Sequence, residues 1–331
     1  MKKVVITGVA GFVGTNLTQA LLLRNYHVKG IDNFSHGIRS NIAPLLKQEN
    51  FVFEEGDVLD SRYIESAYQD ADAIIHLAAF KIPRYGSASQ TLLINTKGTE
   101  NVLNAAKINK IKVLFASTSD VYGKNPKIPF HENSDLLLGP THVARWAYAV
   151  SKIYDEHLAL SYHHEFNVPV TIVRYFGGYG PHQNLTWRGG PQSVFIEQAL
   201  KGEPLSIHGD GKQTRSFTYI SDIVEGTIAA LEKKEANGQV FNIGNPEEIS
   251  VLELAKLIWK KVQNHDPIIK FVPYENFDRH YEDVVRRVPD ISKAKEYLNF
   301  VPKISLQDGL DVTIDWYRKH VQTKENDESG K

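Results

Sequence analysis

The sequence predicts an α/β fold, a doubly wound parallel sheet with a smaller C-terminal α/β domain, and three observations point to it. The chain opens on a short apolar run, Val4 to Thr7, that ends in Gly8, Gly11 and Gly14, and a helical pattern begins on the last of these glycines. Further apolar runs, His27 to Ile31, Phe51 to Phe53, Ala73 to Leu77, Lys112 to Ala116 and Val168 to Val173, alternate with helical patterns, the rhythm of a parallel sheet. After Arg174 that rhythm weakens, so a second unit begins there. The expected division is 1–174, also receiving about 218–245, for the sheet domain and 175–217 with 246–322 for the smaller one. A polar tail over 323–331 is expected to be disordered.

Each element of the sheet domain brings candidate functional residues to one edge. Gly8 permits a sharp turn, Gly11 lets the backbone approach a pyrophosphate, and Gly14 lets the helix lie close on the strand. Phe12 and Val13 then open a helix whose N-terminal N–H groups face an anion, a Rossmann-type arrangement. Asp32, at the end of the second strand, is placed to accept the ribose hydroxyls of an adenosine. That favours NAD over NADP, because a 2′-phosphate would meet like charge; Arg39 is the nearby cation that a 2′-phosphate would need. Asp57 and Val58 follow the third strand, where Asp57 serves either the adenine edge or only its own loop. The small residues of Leu77-Ala78-Ala79, before Lys81, let a cofactor lie against the fourth strand. An amphipathic helix, Asn95 to Lys107, leads to a strand that delivers Ser117, Thr118, Ser119 and Asp120.

A helix opening at Arg145 and running to about Glu165 places Tyr148 and Lys152 four apart, on one face. An ammonium beside a phenol stabilises the phenolate, which would make Tyr148 a base for a sugar hydroxyl. In the second unit, helices are expected at Pro191 to Leu200, after the cap pair Ser221-Asp222, at Ser250 to Val262 and at Ile304 to Tyr317. Strands are expected at Leu205 to His208 and Gln239 to Ile243.

Composition narrows the function classes. A net charge of −1 with no long block of like charge argues against nucleic acid, and no apolar run is long enough for a membrane. Met1-Lys2-Lys3 enters the first strand directly, so a cytoplasmic protein without a signal peptide is expected. With no cysteine, disulfides, thiolate nucleophiles and Cys-based zinc sites are excluded. The 13 histidines are scattered, and His163-His164 reads as helix surface, so no metal is expected.

Together, the Thr-Gly-x-x-Gly-x-x-Gly opening, Asp32, Asp57-Val58, Leu77-Ala78-Ala79, Asn95, the Ser/Thr cluster before Val121-Tyr122-Gly123, and Tyr148 with Lys152 resemble the extended short-chain dehydrogenase/reductases. Within these the chain is similar to the NAD-dependent nucleotide-sugar epimerase/dehydratase group. The resemblance implies that Asn33, Ser117 and Tyr175 join the cofactor set and that Thr118 bonds the sugar O4. It makes Lys152 the anchor of the nicotinamide ribose, Lys81 a 4-epimerase-like lysine, and Arg215 the diphosphate clamp, with Arg287 as a second clamp. It also implies a homodimer built on helices Gly86 to Lys107 and Arg145 to Glu165.

Departures from the group bear on the reaction. Ser119-Asp120 stands where related dehydratases carry Asp-Glu, which disfavours a 4,6-dehydratase. Decarboxylases show Thr-Ser-Glu, one methylene longer than Thr118-Ser119-Asp120, and Arg145-Trp146-x-Tyr148 and Arg287-x-Pro289-Asp290 are decarboxylase-like. Gly177 replaces an asparagine that usually helps hold the nucleotide sugar. The reading is a UDP-sugar 4-epimerase, with a UDP-glucuronate decarboxylase as the alternative. An NAD(P)-sensing regulatory protein is the non-enzyme rival, and it would not need Thr118, Tyr148, Lys152 and Arg215 together.

Overall fold

The computed structural model describes residues 2–81, 87–187, 189–276 and 282–328, with side chains to residue 320. The first half runs β1 (Lys3–Thr7), α1 (Phe12–Leu23), β2 (His27–Asp32), α2 (Arg39–Ile42), β3 (Phe51–Glu55), α3 (Ser61–Ala67), β4 (Ala73–His76), α4 (Ala88–Asn109), β5 (Lys112–Thr118), α5 (Trp146–Phe166) and β6 (Val170–Tyr175). The second half continues β7 (Gly178–Tyr179), α6 (Pro191–Lys201), β8 (Leu205–His208), β9 (Thr214–Ser216), β10 (Thr218–Tyr219), α7 (Ile220–Glu232), β11 (Gln239–Ile243), β12 (Glu248–Ser250), α8 (Val251–Val262), β13 (Ile269–Val272), α9 (Ser292–Leu298) and α10 (Leu306–Glu328).

Seven parallel strands form one sheet in the order β11-β6-β5-β4-β1-β2-β3. The order reverses between β1 and β4, and such a reversal opens a crevice beyond the strand C-termini. Val4, Val5 and Ile6 of β1 are buried on both faces, as a central parallel strand requires. Leu17 and Leu21 of α1 pack with Ile223, Val224 and Ile228 of α7 on one face, and Leu103 and Ala106 of α4 pack with Ala159 of α5 on the other. A separate core joins Phe195, Leu254, Ile258, Trp259, Leu310 and Tyr317 from α6, α8 and α10. Ala294 and Leu298 of α9, with Phe300, return to the core beneath β11 and α7.

Two expectations are corrected. Ser221-Asp222 does not cap α7, which starts at Ile220 after Tyr219; Asp222 lies in the first turn and accepts Ile304 N–H at 3.1 Å. Helix α10 continues to Glu328, so 323–328 is helical rather than disordered, and 329–331 lie outside the described residues. Lys324, Glu325 and Glu328 are good helix formers, and a helix already nucleated by packing propagates at little cost. The expected start of the dimer helix, Gly86, also lies outside the described residues.

Candidate active site

A cavity of about 500 Å³ lies at the strand-order reversal and extends toward the smaller domain. Gly8, Gly11, Phe12, Val13 and Gly14 line one end, with Leu77, Ala79 and Lys81 beside them. Gly8 has φ +73°, and a Cβ there would lie 2.8 Å from Ala78 N; at Gly14 it would lie 2.2 Å from Gly8 O. Side chains at either position would push the backbone apart, so the glycines are what allow the close turn. This cradle at the N-terminus of α1 fits the pyrophosphate of a dinucleotide.

Several other residues expected to touch the cofactor brace this wall. The Asp32 carboxylate accepts Ala10 N–H at 2.9 Å and Phe34 N–H at 2.8 Å. Burial pushes its pKa up, and those two N–H groups pull it down. His36, Ile38 and Asn41 of the following loop face the cavity. Asn33 donates to Asp57 at 2.9 Å, and Asp57 also accepts Leu59 N–H, the loop role that had stood open for it; Val58 is buried. Arg39 pairs with Glu55 at 2.8 Å and stacks on Phe34. Asn95 bonds Phe80 N–H and Ser151 Oγ, tying the segment before Lys81 to α5. Ser117 lines the cavity, but its hydroxyl donates to Glu156.

Thr118, Ser119, Asp120, Tyr148, Lys152, Tyr175, Gly177, Arg215 and Arg287 all line the cavity. Lys152 is 2% exposed and donates to Ala116 O at 2.9 Å. Burial pushes the Tyr148 phenol up, and Asp120 and Asp155 add to it, so the expected depression by Lys152 is not what the protein alone provides. The reason is the phenol's own desolvation, with the two carboxylates adding to it; Lys152 is likewise buried, which pulls its ammonium down. Gly177 has φ +49°, and a Cβ there would sit 2.0 Å from Ser216 O, so a side chain at this backbone position would not fit.

The electrostatic centre is a web of ion pairs. Asp120 meets Arg287 at 2.7 Å and Arg145 at 3.4 Å, and Thr118 N-caps the turn by accepting Asp120 N–H at 3.2 Å. Burial alone would raise the Asp120 pKa, but Arg287, Arg145 and Lys81 hold it far below the usual carboxylate range. Asp283 accepts Arg215 at 2.7 Å, Arg145 at 3.1 Å and the Tyr274 hydroxyl at 3.1 Å. Among the described residues, Lys81, Arg145, Lys152, Arg215 and Arg287 face only the two carboxylates Asp120 and Asp283 across the cavity, an excess of positive charge suited to an anionic ligand. Sequence reasoning assigned no site role to Arg145, Asp283 or Tyr274. The Arg145-Trp146-x-Tyr148 segment carried a signal for the first; Asp283 lies in an aperiodic stretch and carried none.

A dinucleotide cradle, a Thr/Tyr/Lys cluster at the next strand ends and a cationic annex define a short-chain dehydrogenase/reductase of the extended type. The family model described as GDP-mannose 4,6 dehydratase matches residues 5–313, and the chain belongs to this family. The UDP-N-acetyl-alpha-D-glucosaminuronate decarboxylase of Bacillus cytotoxicus is 40% identical over 321 residues, 96% of this chain and 98% of that protein. UDP-glucuronic acid decarboxylase 1 of Arabidopsis thaliana is 38% identical, over 99% of this chain and 72% of its own. Among solved structures, the UDP-glucuronic acid 4-epimerase of Bacillus cereus, in complex with UDP-glucuronic acid and NAD, superposes with a TM-score of 0.86 at 35% identity, over 96% of this chain and 99% of that one. Among the described residues there is no metal-binding cluster and no helix long and apolar enough to cross a membrane.

Proposed function

We propose that this protein is an NAD-dependent decarboxylase of a UDP-uronic acid, working through a 4-keto sugar. One observation carries the reading: a carboxylate, Asp120, two residues after Thr118, is pinned by Arg287 and Arg145. A 4-epimerase needs no carboxylate there, since the sugar only turns over between oxidation and reduction. The relatives support the same choice, and it replaces the epimerase favoured from sequence. The missing methylene of Asp120, which had argued for the epimerase, is offset because both arginines come to the shorter side chain.

The Gly8 to Gly14 cradle would hold the pyrophosphate of NAD, with Lys152 and Tyr175 toward the nicotinamide end, and the bound cofactor would supply a reversible hydride acceptor for sugar C4. Arg39, engaged by Glu55, supports NAD over NADP. Tyr148 takes the O4 proton as C4 becomes a ketone and returns it at the end, with Thr118 bonding O4. The C4 ketone makes the C6 carboxylate that of a β-keto acid, so the C5–C6 bond breaks, CO₂ leaves and a proton takes its place at C5. Arg215 suits the diphosphate and Arg287 the uronate carboxylate, each presenting a planar fork. Asp120 stays ionised, so its role is to fix the arginines rather than to donate the C5 proton.

A UDP-sugar 4-epimerase is the second reading, favoured by the likeness to the Bacillus cereus epimerase, whose 4-keto chemistry would need the same Tyr148, Thr118 and Lys152. We further propose a homodimer through α4 and α5, whose exposed Leu93, Val150 and Tyr154 offer an apolar seam. The functional reading is tested by incubating the protein and NAD with UDP-glucuronate and with its 2-acetamido analogue. NMR should find a UDP-pentose lacking C6 from at least one of them; an unchanged or merely C4-inverted uronate from both would refute the decarboxylase.

A further inference from the structure

Beneath the cavity floor, where α5 packs on α4 and β4, lies an acid that the proposed chemistry does not use. Asp155 is fully buried; the Thr99 hydroxyl lies alongside and pulls the carboxyl pKa down, but neither oxygen meets a described partner at good hydrogen-bond geometry. A buried carboxyl in that state is costly as an anion unless a cation compensates it.

The neighbouring charges leave one candidate. Glu156 on α5 is committed to Arg174, at 2.9 and 2.6 Å, and to Ser117. His76 on β4 is buried, bonds Thr7 at 2.8 Å and Thr99 at 3.3 Å, and is held neutral because burial pushes its pKa down to about 3. The Tyr148 phenol lies further along α5 and is held protonated. Lys152 is one helical turn before Asp155, sealed from solvent, with Nζ on Ala116 O and 4.4 Å from the centre of the Phe115 ring. Burial lowers the pKa of its ammonium, and Asp155, ahead of Glu156, opposes that.

We propose that Asp155 is the buried counter-ion of Lys152, a positioning residue that keeps the lysine charged and exchanges a proton as the charge in the cavity changes. The inference rests on the NAD reading above. Burial raises the Asp155 pKa to about 6, against the pull of Lys152. A cationic nicotinamide ring bound at the Lys152 end of the cavity would favour the carboxylate form, so near pH 6 its binding would drive a proton off Asp155.

Calorimetric titration of NAD into the full-length protein at pH 6, in two buffers of different ionisation enthalpy, counts that proton. The expected release is up to about half a proton at pH 6, fading by pH 8. In Asp155→Asn, checked for folding by circular dichroism, NAD should still bind and the release should vanish. A wild-type protein that binds NAD at pH 6 without releasing a proton overturns the proposal with no variant needed. So does an Asp155→Asn protein that releases as much as wild type, the result a merely structural role would give. A protein that binds no NAD at any pH overturns the functional reading itself, and this proposal with it.

Discussion

Tyr148 faces the cavity with its phenol held protonated by burial and by Asp120, so whatever lowers its pKa for catalysis must come with the ligands. Tyr148→Phe should cost ~10² to 10⁴ in turnover while leaving NAD binding intact, measured by steady-state kinetics and calorimetry. Asp120→Asn should cost at least ~10²-fold on a UDP-uronate, because Arg287 and Arg145 lose the anchor that orients them. A loss under about tenfold would show that the arginines hold their places without Asp120. The Tyr148 and Lys152 pair was legible because one helix fixes their geometry. Asp283 was not, since its meaning depends on Arg145, 138 residues earlier in the chain.

At the scale of elements, the packing of β4, α4 and α5 sets an acid response. His76 has its pKa pushed down to about 3, so below about 6.5 the unfolded chain binds a proton that the folded one refuses, and stability falls as pH drops. Asp155, raised to about 6, has the opposite sign: between about 3.8 and 6 the folded chain holds the extra proton, and stability falls as pH rises. The two slopes cancel between about pH 4 and 6. His182, lowered to about 4 by burial, adds its own loss in wild type and variant alike, so urea titrations of Asp155→Asn should show stability falling more steeply than in wild type as pH drops through that window, by up to about 1.4 kcal/mol per unit. At β1 and α1, Gly14→Ala places a Cβ 2.2 Å from Gly8 O and should cost about 2 kcal/mol or more, read from the same titrations. The strands and long helices were readable from period and turn chemistry. The Ser221-Asp222 cap was misread because a capping pair looks the same whether it stands before a helix or inside its first turn.

For the whole molecule, the strand-order reversal, the glycine cradle and the cationic annex fall into one cavity, which is why the family was clear from scattered motifs and the reaction was not. The motifs encode an NAD-dependent nucleotide-sugar enzyme, common to the group; in the proposed reading the outcome depends on charges assembled from α5, β9 and the segment before α9. Light scattering after size exclusion should give about twice the 37.3 kDa chain mass, and charges placed at Leu93 and Tyr154 together should yield monomers. The central claim is that a C4 ketone is used to release CO₂ from C6 of a UDP-uronate. Turnover of UDP-glucuronate or its 2-acetamido analogue in D₂O tests it most directly. The account predicts a UDP-pentose with deuterium at C5, whereas a six-carbon uronate inverted at C4 with no ring deuterium would contradict it.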